Sequence, residues 1–219
     1  TATFGGETED ASMSTASPSA FAPNPPATRA KAGIDGIYAQ VQGEVVSGLT
    51  LTAGLRRDSH DTFGDATLGQ FAAAWSLNDG NTVLRASFGQ GFKAPTLYQL
   101  YSEYGNTALE AEEADGWDAG IEQRFAERFM VRATYFSRET DNQIDYFSCT
   151  STTTNPLCFV GGVQRFGYYA NTAQTKAHGV ELEGSVDLGP LALSANYTWT
   201  AAENDSPGNV NRGKQLTRR

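Results

Sequence analysis

No run of about eighteen apolar residues occurs in the 219-residue sequence, which excludes a membrane-spanning helix. A membrane is not excluded with it, because a spanning β-strand needs only about 9–11 alternating residues. No secretory signal stands at Thr1, so either one has been removed or the chain starts within a larger protein. Basic residues are few: 16 Lys and Arg face 25 Asp and Glu, for a net charge of −9. Nucleic acid is thereby excluded as a partner, since binding it needs a basic stripe that displaces counterions. Cysteine is limited to Cys149 and Cys158, in a Ser/Thr-rich stretch without a nearby histidine. Two such thiols cannot complete a tetrahedral metal shell. They are two unrelated thiols or, as their nearness in one loop favours, a local disulfide made in an oxidising compartment.

What the chain does have is glycine (23) and aromatics (Trp 3, Tyr 9, Phe 12), a mixture that suits strands and turns. From Ile34 onward the pattern is regular. Ile37, Ala39, Val41 and Val45 oppose Tyr38, Gln40, Gln42 and Glu44; Leu49, Leu51, Ala53 and Leu55 oppose Thr50, Thr52, Gly54 and Arg56. The same alternation runs through Phe71–Leu77, Leu84–Phe92, Trp117–Phe125, Phe129–Tyr135, Val180–Leu188 and Leu191–Trp199. Thr1–Ala11 alternates weakly and reads as the end of a strand. Connections alternate as strictly as the residues do. Short turns at 47–48, 78–81 (a primed-type hairpin signal), 126–127 and 189–190 fall on one rim; longer loops at 12–33, 58–65, 94–116, 148–163 and 203–213 fall on the other.

The longest informative connection is the arm at 94–116. The strand before it stops at Ala94-Pro95, since proline donates no ladder hydrogen bond. A polar segment with Tyr98, Tyr101 and Tyr104 follows, then the acidic run Glu110, Glu112, Glu113 and Asp115. A loop of about twenty residues is usually functional. The three tyrosines offer flat amphipathic surface for a bulky ligand; packing of the arm on the rim explains them equally well.

The apolar face is mostly aliphatic, with Trp117, Tyr197 and Trp199 toward the long-loop rim and Trp75, Phe125 and Phe129 toward the short-turn rim. The other face is polar along nearly its whole length. Apolar outside, polar inside, aromatic girdles and unequal rims together describe an outer-membrane barrel. The fold is therefore expected to be all-β, an antiparallel up-and-down meander of about 8–9 strands. Arg56, Arg85, Arg132, Arg138, Glu122, Glu181 and Glu183 are too many long charged groups for the tight interior of a small barrel, and suit a wide, wet lumen. The expectation is a partial transmembrane β-barrel, a fragment of a larger one.

Other motifs carry less. Gly89-Gln-Gly91-Phe-Lys-Ala94 imitates a dinucleotide fingerprint, but no helix is expected to open at Ala94-Pro95-Thr96 in the place that fingerprint requires. Gly208–Lys214 is a near miss to a phosphate loop, with Gln215 where Ser or Thr is required. Asp58, His60 and Asp61 read as a solvated rim, and the acidic run lacks the spacing of a calcium loop. No nucleophile–base arrangement is present, so neither an enzyme nor a cofactor or metal site is expected.

The ordered pieces GFKAPTLYQLY, YGN and LEAEEADGWDAGIE resemble the C-terminal barrel half of TonB-dependent outer-membrane receptors. Tyr135-Phe136, Asn142–Asp145, Tyr169-Ala-Asn171, His178–Glu183 and Leu216–Arg219 continue the resemblance, which covers Ile34 to Arg219. Ala111 departs from it where proline is usual, as does Asp118 where glutamate is usual. The resemblance implies a bacterial outer-membrane location and active uptake of a bulky, scarce nutrient, past a plug domain that a periplasmic TonB-type energy transducer pulls upon. Residues 1–219 would then be a fragment of the barrel domain, without plug or terminal strands. The cysteine loop and YQLYSEYGN look most like the cobalamin-receptor branch, favouring a corrinoid over a ferric siderophore. A passive porin, or a soluble β-sheet ligand-binding module, is the alternative.

Overall fold

The computed structural model describes residues 1–18, 24–126, 128–207 and 212–216, excepting the side chain of Thr172. The strands are β1 (Ala2–Thr15), β2 (Thr28–Val46), β3 (Leu49–His60), β4 (Gly64–Leu77), β5 (Thr82–Lys93), β6 (Glu112–Phe125) and β7 (Phe129–Ser148). A small separate hairpin follows, β8 (Phe159–Val160) with β9 (Val163–Gln164), and then β10 (Gly167–Asp187) and β11 (Ala192–Asn204). All but the small hairpin form one nine-stranded sheet in the order β1-β2-β3-β4-β5-β6-β7-β10-β11, every neighbour antiparallel. The meander is open: β1 and β11 stand at its two edges, and the architecture is that of part of a barrel wall.

The alternation read from the sequence sorts the two faces. Phe71, Ile121, Val131 and Leu193 are 48%, 46%, 52% and 52% exposed, so they do not converge on a shared dry interior. Ile37, Val41, Leu55, Leu84, Trp117, Phe125 and Tyr197 are exposed on the same face. A continuous apolar face of nine strands far exceeds the few hundred Å² that a soluble monomer tolerates; hydrocarbon is the solvent that suits it. The short turns obey their local chemistry. Asn78, Asp79 and Gly80 all have positive φ (51°, 55° and 86°), and Asn81 N donates to Asn78 O at 3.0 Å, so the primed-type signal becomes a four-residue connection. The turn after β6 has its own left-handed residue, Ala126, next to Glu127, which lies outside the described residues.

The long-loop rim differs from expectation because the strands climb further. The 12–33 loop loses both its ends to strand: β1 continues to Thr15 and β2 begins at Thr28, with Ser12 opposite Lys31. The 58–65 loop shrinks to residues 61–63, and the arm to 94–111, because Glu112, Glu113 and Asp115 belong to β6. In the cysteine loop, β7 reaches Ser148 and β10 starts only at Gly167, with the β8–β9 hairpin between. Period-two alternation records a difference between two faces. Where both faces meet water the backbone still pairs but leaves no such record.

The arm, read as a loop, also holds a single helical turn just past Ala94-Pro95, α1 (Leu97–Tyr101): Thr96 accepts from Gln99 N at 3.2 Å, and the Gln99 side chain accepts from Thr96 N at 2.9 Å. This reciprocal capping box satisfies two orphan donors of a single helical turn, and Pro95, outside the cap, costs the helix nothing. With β5 and β6 antiparallel, the βαβ unit of a dinucleotide site is absent. The near-miss phosphate loop falls partly outside the described residues at 208–211, as does the end of the Leu216–Arg219 lead-in at 217–219.

Candidate functional site

The arm folds over the polar face of the sheet. Alternation places Glu9, Met13, Ile34 and His60 on that face, and with Pro95 and Tyr98 they line a cleft of about 530 Å³. α1 comes to lie beside β1 and β2, and the arm then returns across the wall to β7 and β10. What holds it down is a small apolar cluster, Leu100, Leu109 and Ile144, all buried, with Phe63, Tyr101 and Tyr169 packed around it. Two of its buried members come from the arm and one from β7.

Hydrogen bonds fix the rest. Tyr169 N donates to Tyr104 O at 3.1 Å, and Asn106 Nδ2 donates to Tyr169 O at 3.0 Å. Asn171 Nδ2 donates to Glu110 O (3.0 Å) and to Asn142 O (2.6 Å), while its Oδ1 accepts from Glu110 N (2.9 Å). Asn142 has a left-handed backbone (φ 55°), and the β7–β10 register shifts at Asn171 and Ala173. Asn171 itself stays paired with Ile144, and the irregularity begins just past it, while its side chain bonds the arm. The Tyr169-Ala-Asn171 segment therefore works as a clamp.

The three candidate tyrosines part company. Tyr98 is 41% exposed, its ring edge-on to Tyr169 with centroids 6.3 Å apart. Tyr104 stands edge-on to Tyr146 at 5.6 Å, and Tyr146 in turn to Tyr169 at 5.7 Å. The neighbouring Glu103 carboxylate, and after it desolvation, hold the Tyr104 phenol above its ordinary pKa. Tyr101 packs against the apolar cluster. Tyr98 and Tyr104 thus belong to one aromatic chain of four rings, and Tyr101 serves the arm's own packing.

Cys149 and Cys158 meet in a disulfide, Cα atoms 5.7 Å apart, with Cys158 wholly buried. Beyond the ring they close stands Arg165, whose Nε donates to Leu157 O (2.6 Å) and whose Nη1 donates to Gly105 O (2.9 Å) and Glu103 O (3.3 Å). Its guanidinium also lies 5.3 Å from the Tyr168 ring. Burial pulls the Arg165 pKa below its ordinary value.

Lower on the polar face lies a second polar cluster. Glu122, only 1% exposed, accepts from Arg132 Nη2 (2.6 Å) and Arg85 Nη1 (3.0 Å) through Oε2. Arg124 Nη2 stands 2.8 Å from Oε1, near enough for an ion pair but without hydrogen-bond alignment. Arg132 Nη1 continues to Glu183 at 2.8 Å. Nearer the rim, Arg56 binds both Asp58 (2.8 Å) and Glu7 (3.0 Å). A Cβ at Gly36 beneath them would stand 2.5 Å from Asp58 Oδ1 and 2.6 Å from Arg56 Nη2, so a larger residue there would displace this pair.

Asp58, His60 and Asp61 do not converge. Asp58 is buried with Arg56, His60 Nδ1 accepts from Thr62 N, and Asp61 accepts from Gly33 N. The acidic run disperses likewise: Glu112 accepts from Ile144 N and Lys93, and Asp115 from Gln90. Tyr146, Asn171 and Arg165 had no role assigned from the sequence. Arg165 had a signal, being the single charged residue between Cys149 and Phe166. Tyr146 and Asn171 had none beyond their residue type, since their partners on the arm, Tyr104 and Glu110, stand 42 and 61 residues away in sequence and meet them only in the folded chain.

On the opposite face, Trp117, Tyr135, His178 and Trp199 from four successive strands form a chain of ring contacts, centroids 5.3, 6.5 and 5.9 Å apart. Amphipathic rings in such a row suit the boundary between hydrocarbon and water.

Comparison with known proteins agrees with this architecture. The family model described as TonB dependent receptor-like, beta-barrel matches residues 1–219. Among solved structures, the siderophore receptor PirA from Pseudomonas aeruginosa superposes with a TM-score of 0.70 at 25% identity, over 82% of this chain and 36% of that one. A mutant of the ferric enterobactin receptor PfeA of the same organism, solved in complex with enterobactin, gives 0.75 at 23% identity over 91% and 33%. The FrpB iron transporter from Neisseria meningitidis gives 0.62 at 19% over 81% and 26%. The chain spans about a third of the length of the first two receptors. With its family model matched from end to end and its strands ordered as a barrel wall, the chain belongs to the TonB-dependent receptor-like β-barrel family.

Proposed function

We propose that this chain forms part of the wall of a TonB-dependent transporter in a bacterial outer membrane, carrying a bulky chelate inward. One observation carries the reading: a nine-stranded wall, apolar outside and charged inside, has an aromatic arm clamped over its inner face. A passive pore has no need of such an arm. The arm and the cleft beside it would meet the cargo, with Tyr98 and Tyr104 offering ring faces to it, and the charged wall would line its route past a plug. The outer face would contact lipid, and a periplasmic TonB-type transducer would act through the plug.

For cargo, a ferric siderophore is the better reading, because the similar solved receptors are named for siderophores or iron. The preference for a corrinoid rests on the arm and cysteine loop alone. Uptake of ⁵⁵Fe-siderophores and of labelled cyanocobalamin by cells carrying the complete receptor, with and without a working TonB, tests this. TonB-dependent iron accumulation is expected. Steady conductance of the purified receptor in a planar bilayer, with uptake indifferent to TonB, would instead favour a passive channel.

A further inference from the structure

The loop from Cys149 to Phe166 is closed at several levels. Cys149 N donates to Phe166 O at 2.8 Å, Gln164 Nε2 to Thr150 O at 2.6 Å, and Arg165 N to Cys158 O at 2.9 Å. The disulfide ties this last acceptor back to the end of β7. One side chain leaves the loop for the arm, and it is Arg165. Its guanidinium makes no ion pair with a carboxylate among the described residues; its partners are the Leu157 carbonyl inside its own loop and the Gly105 and Glu103 carbonyls of the arm. Those two arm carbonyls reach one nitrogen because the chain turns between them, Gly105 N donating to Ser102 O at 2.8 Å. A planar fork of donors spans both sides at once, which the point charge of a lysine does not.

We propose that Arg165 is a positioning residue: the disulfide braces Cys158, whose carbonyl holds the Arg165 backbone, and the Arg165 side chain in turn fixes the tyrosine-bearing arm over the inner face. The Cys149–Cys158 bond thereby governs the arm through a single guanidinium. The inference that this matters for transport rests on the reading that the arm meets the cargo; the mechanical link does not.

Hydrogen–deuterium exchange of the complete receptor in detergent micelles tests the link, using wild type, R165A, R165K, C149S/C158S and the triple variant C149S/R165A/C158S. Exchange of arm peptides covering residues 97–106 is expected to quicken about tenfold in R165A, as a charge-assisted tether is lost. C149S/C158S is expected to match it, the triple variant to add nothing further, and R165K to recover only part. Peptides from β5 and β6 serve as unchanged controls for the fold. Wild-type exchange of the arm in R165A overturns the proposal, and so does a triple variant in which the two effects multiply. The cargo reading fails separately. If the receptor takes up neither ferric enterobactin nor cyanocobalamin while the exchange changes stand, the cargo is wrong and the positioning role remains.

Discussion

Asn171 and Glu110 exchange two hydrogen bonds across 61 residues, side-chain amide to backbone amide, much as two strand residues would pair. A side chain here takes the place of a ladder partner for an arm that is not a strand. Replacing Asn171 by alanine removes this pair together with the bond to Asn142 O. The expected result is a local loss of about 2 kcal/mol in the opening free energy of the arm. Amide exchange at Glu110 reads it, with the midpoint of global unfolding unchanged; N171A exchanging like wild type would remove the clamp from the account.

The tyrosines should separate by function. Tyr98 is the most exposed of the three, so Tyr98→Ala is expected to weaken cargo binding about tenfold, on the scale of one aromatic contact, while leaving arm exchange as it was. Tyr101→Ala is expected to do the reverse, because it packs against the buried cluster of Leu100, Leu109 and Ile144. Binding isotherms beside exchange data on the two variants distinguish them, and equal behaviour in both assays would refute the division.

Glu122 holds Arg85, Arg132 and Arg124 together on the polar face. Glu122→Gln removes the charge and leaves three guanidiniums to repel one another. Those arginines retain water, so the full cost of breaking a buried pair does not apply, and about 2 kcal/mol is expected. Urea unfolding of the receptor in lipid vesicles measures it; added salt should lessen the deficit by screening the cations. A variant as stable as wild type at low salt would show the cluster to be ornamental.

The two faces should answer differently to the same substitution. Ile121→Arg puts a charge on the apolar face and is expected to cost about 2–4 kcal/mol in a bilayer. Thr52→Arg, on the polar face by alternation, is expected to cost under about 1 kcal/mol. The reverse order in vesicle unfolding would contradict the assignment of lipid to the outer face.

Non-reduced mass spectrometry of the receptor should yield a peptide linked through Cys149 and Cys158. Reduction should destabilise the loop by about 2–3 kcal/mol on the chain-entropy account, seen as faster proteolysis between Cys149 and Phe166. Two free thiols in protein isolated without reductant would rule the bond out.

Much of the wall was legible because one side of each strand differs from the other. Leu49, Leu51, Ala53 and Leu55 against Thr50, Thr52, Gly54 and Arg56 state the strand, its faces and its register class in eight residues. The same signal vanishes at Ser12–Thr15 and Thr28–Gly33, where the strands continue in a surround that is polar on both sides. The helical turn at Leu97, inside an arm read as a loop, was missed for another reason. Pro95 was read as ending the strand, whereas the chain's local instruction lay one residue on, in the Thr96/Gln99 capping box.

By itself, then, the sequence determined the meander, the polarity of its faces and the inequality of its rims, because each is a local pattern of period two or a local turn preference. The tertiary structure decided what the arm does. Tyr98, Tyr104, Tyr146, Tyr169, Arg165 and Asn171 come from three separated stretches, and no local preference states that they meet. Their contacts arise where the arm crosses the inner face and meets β7 and β10 beside the register shift that follows Asn171, which brings distant stretches within hydrogen-bonding range.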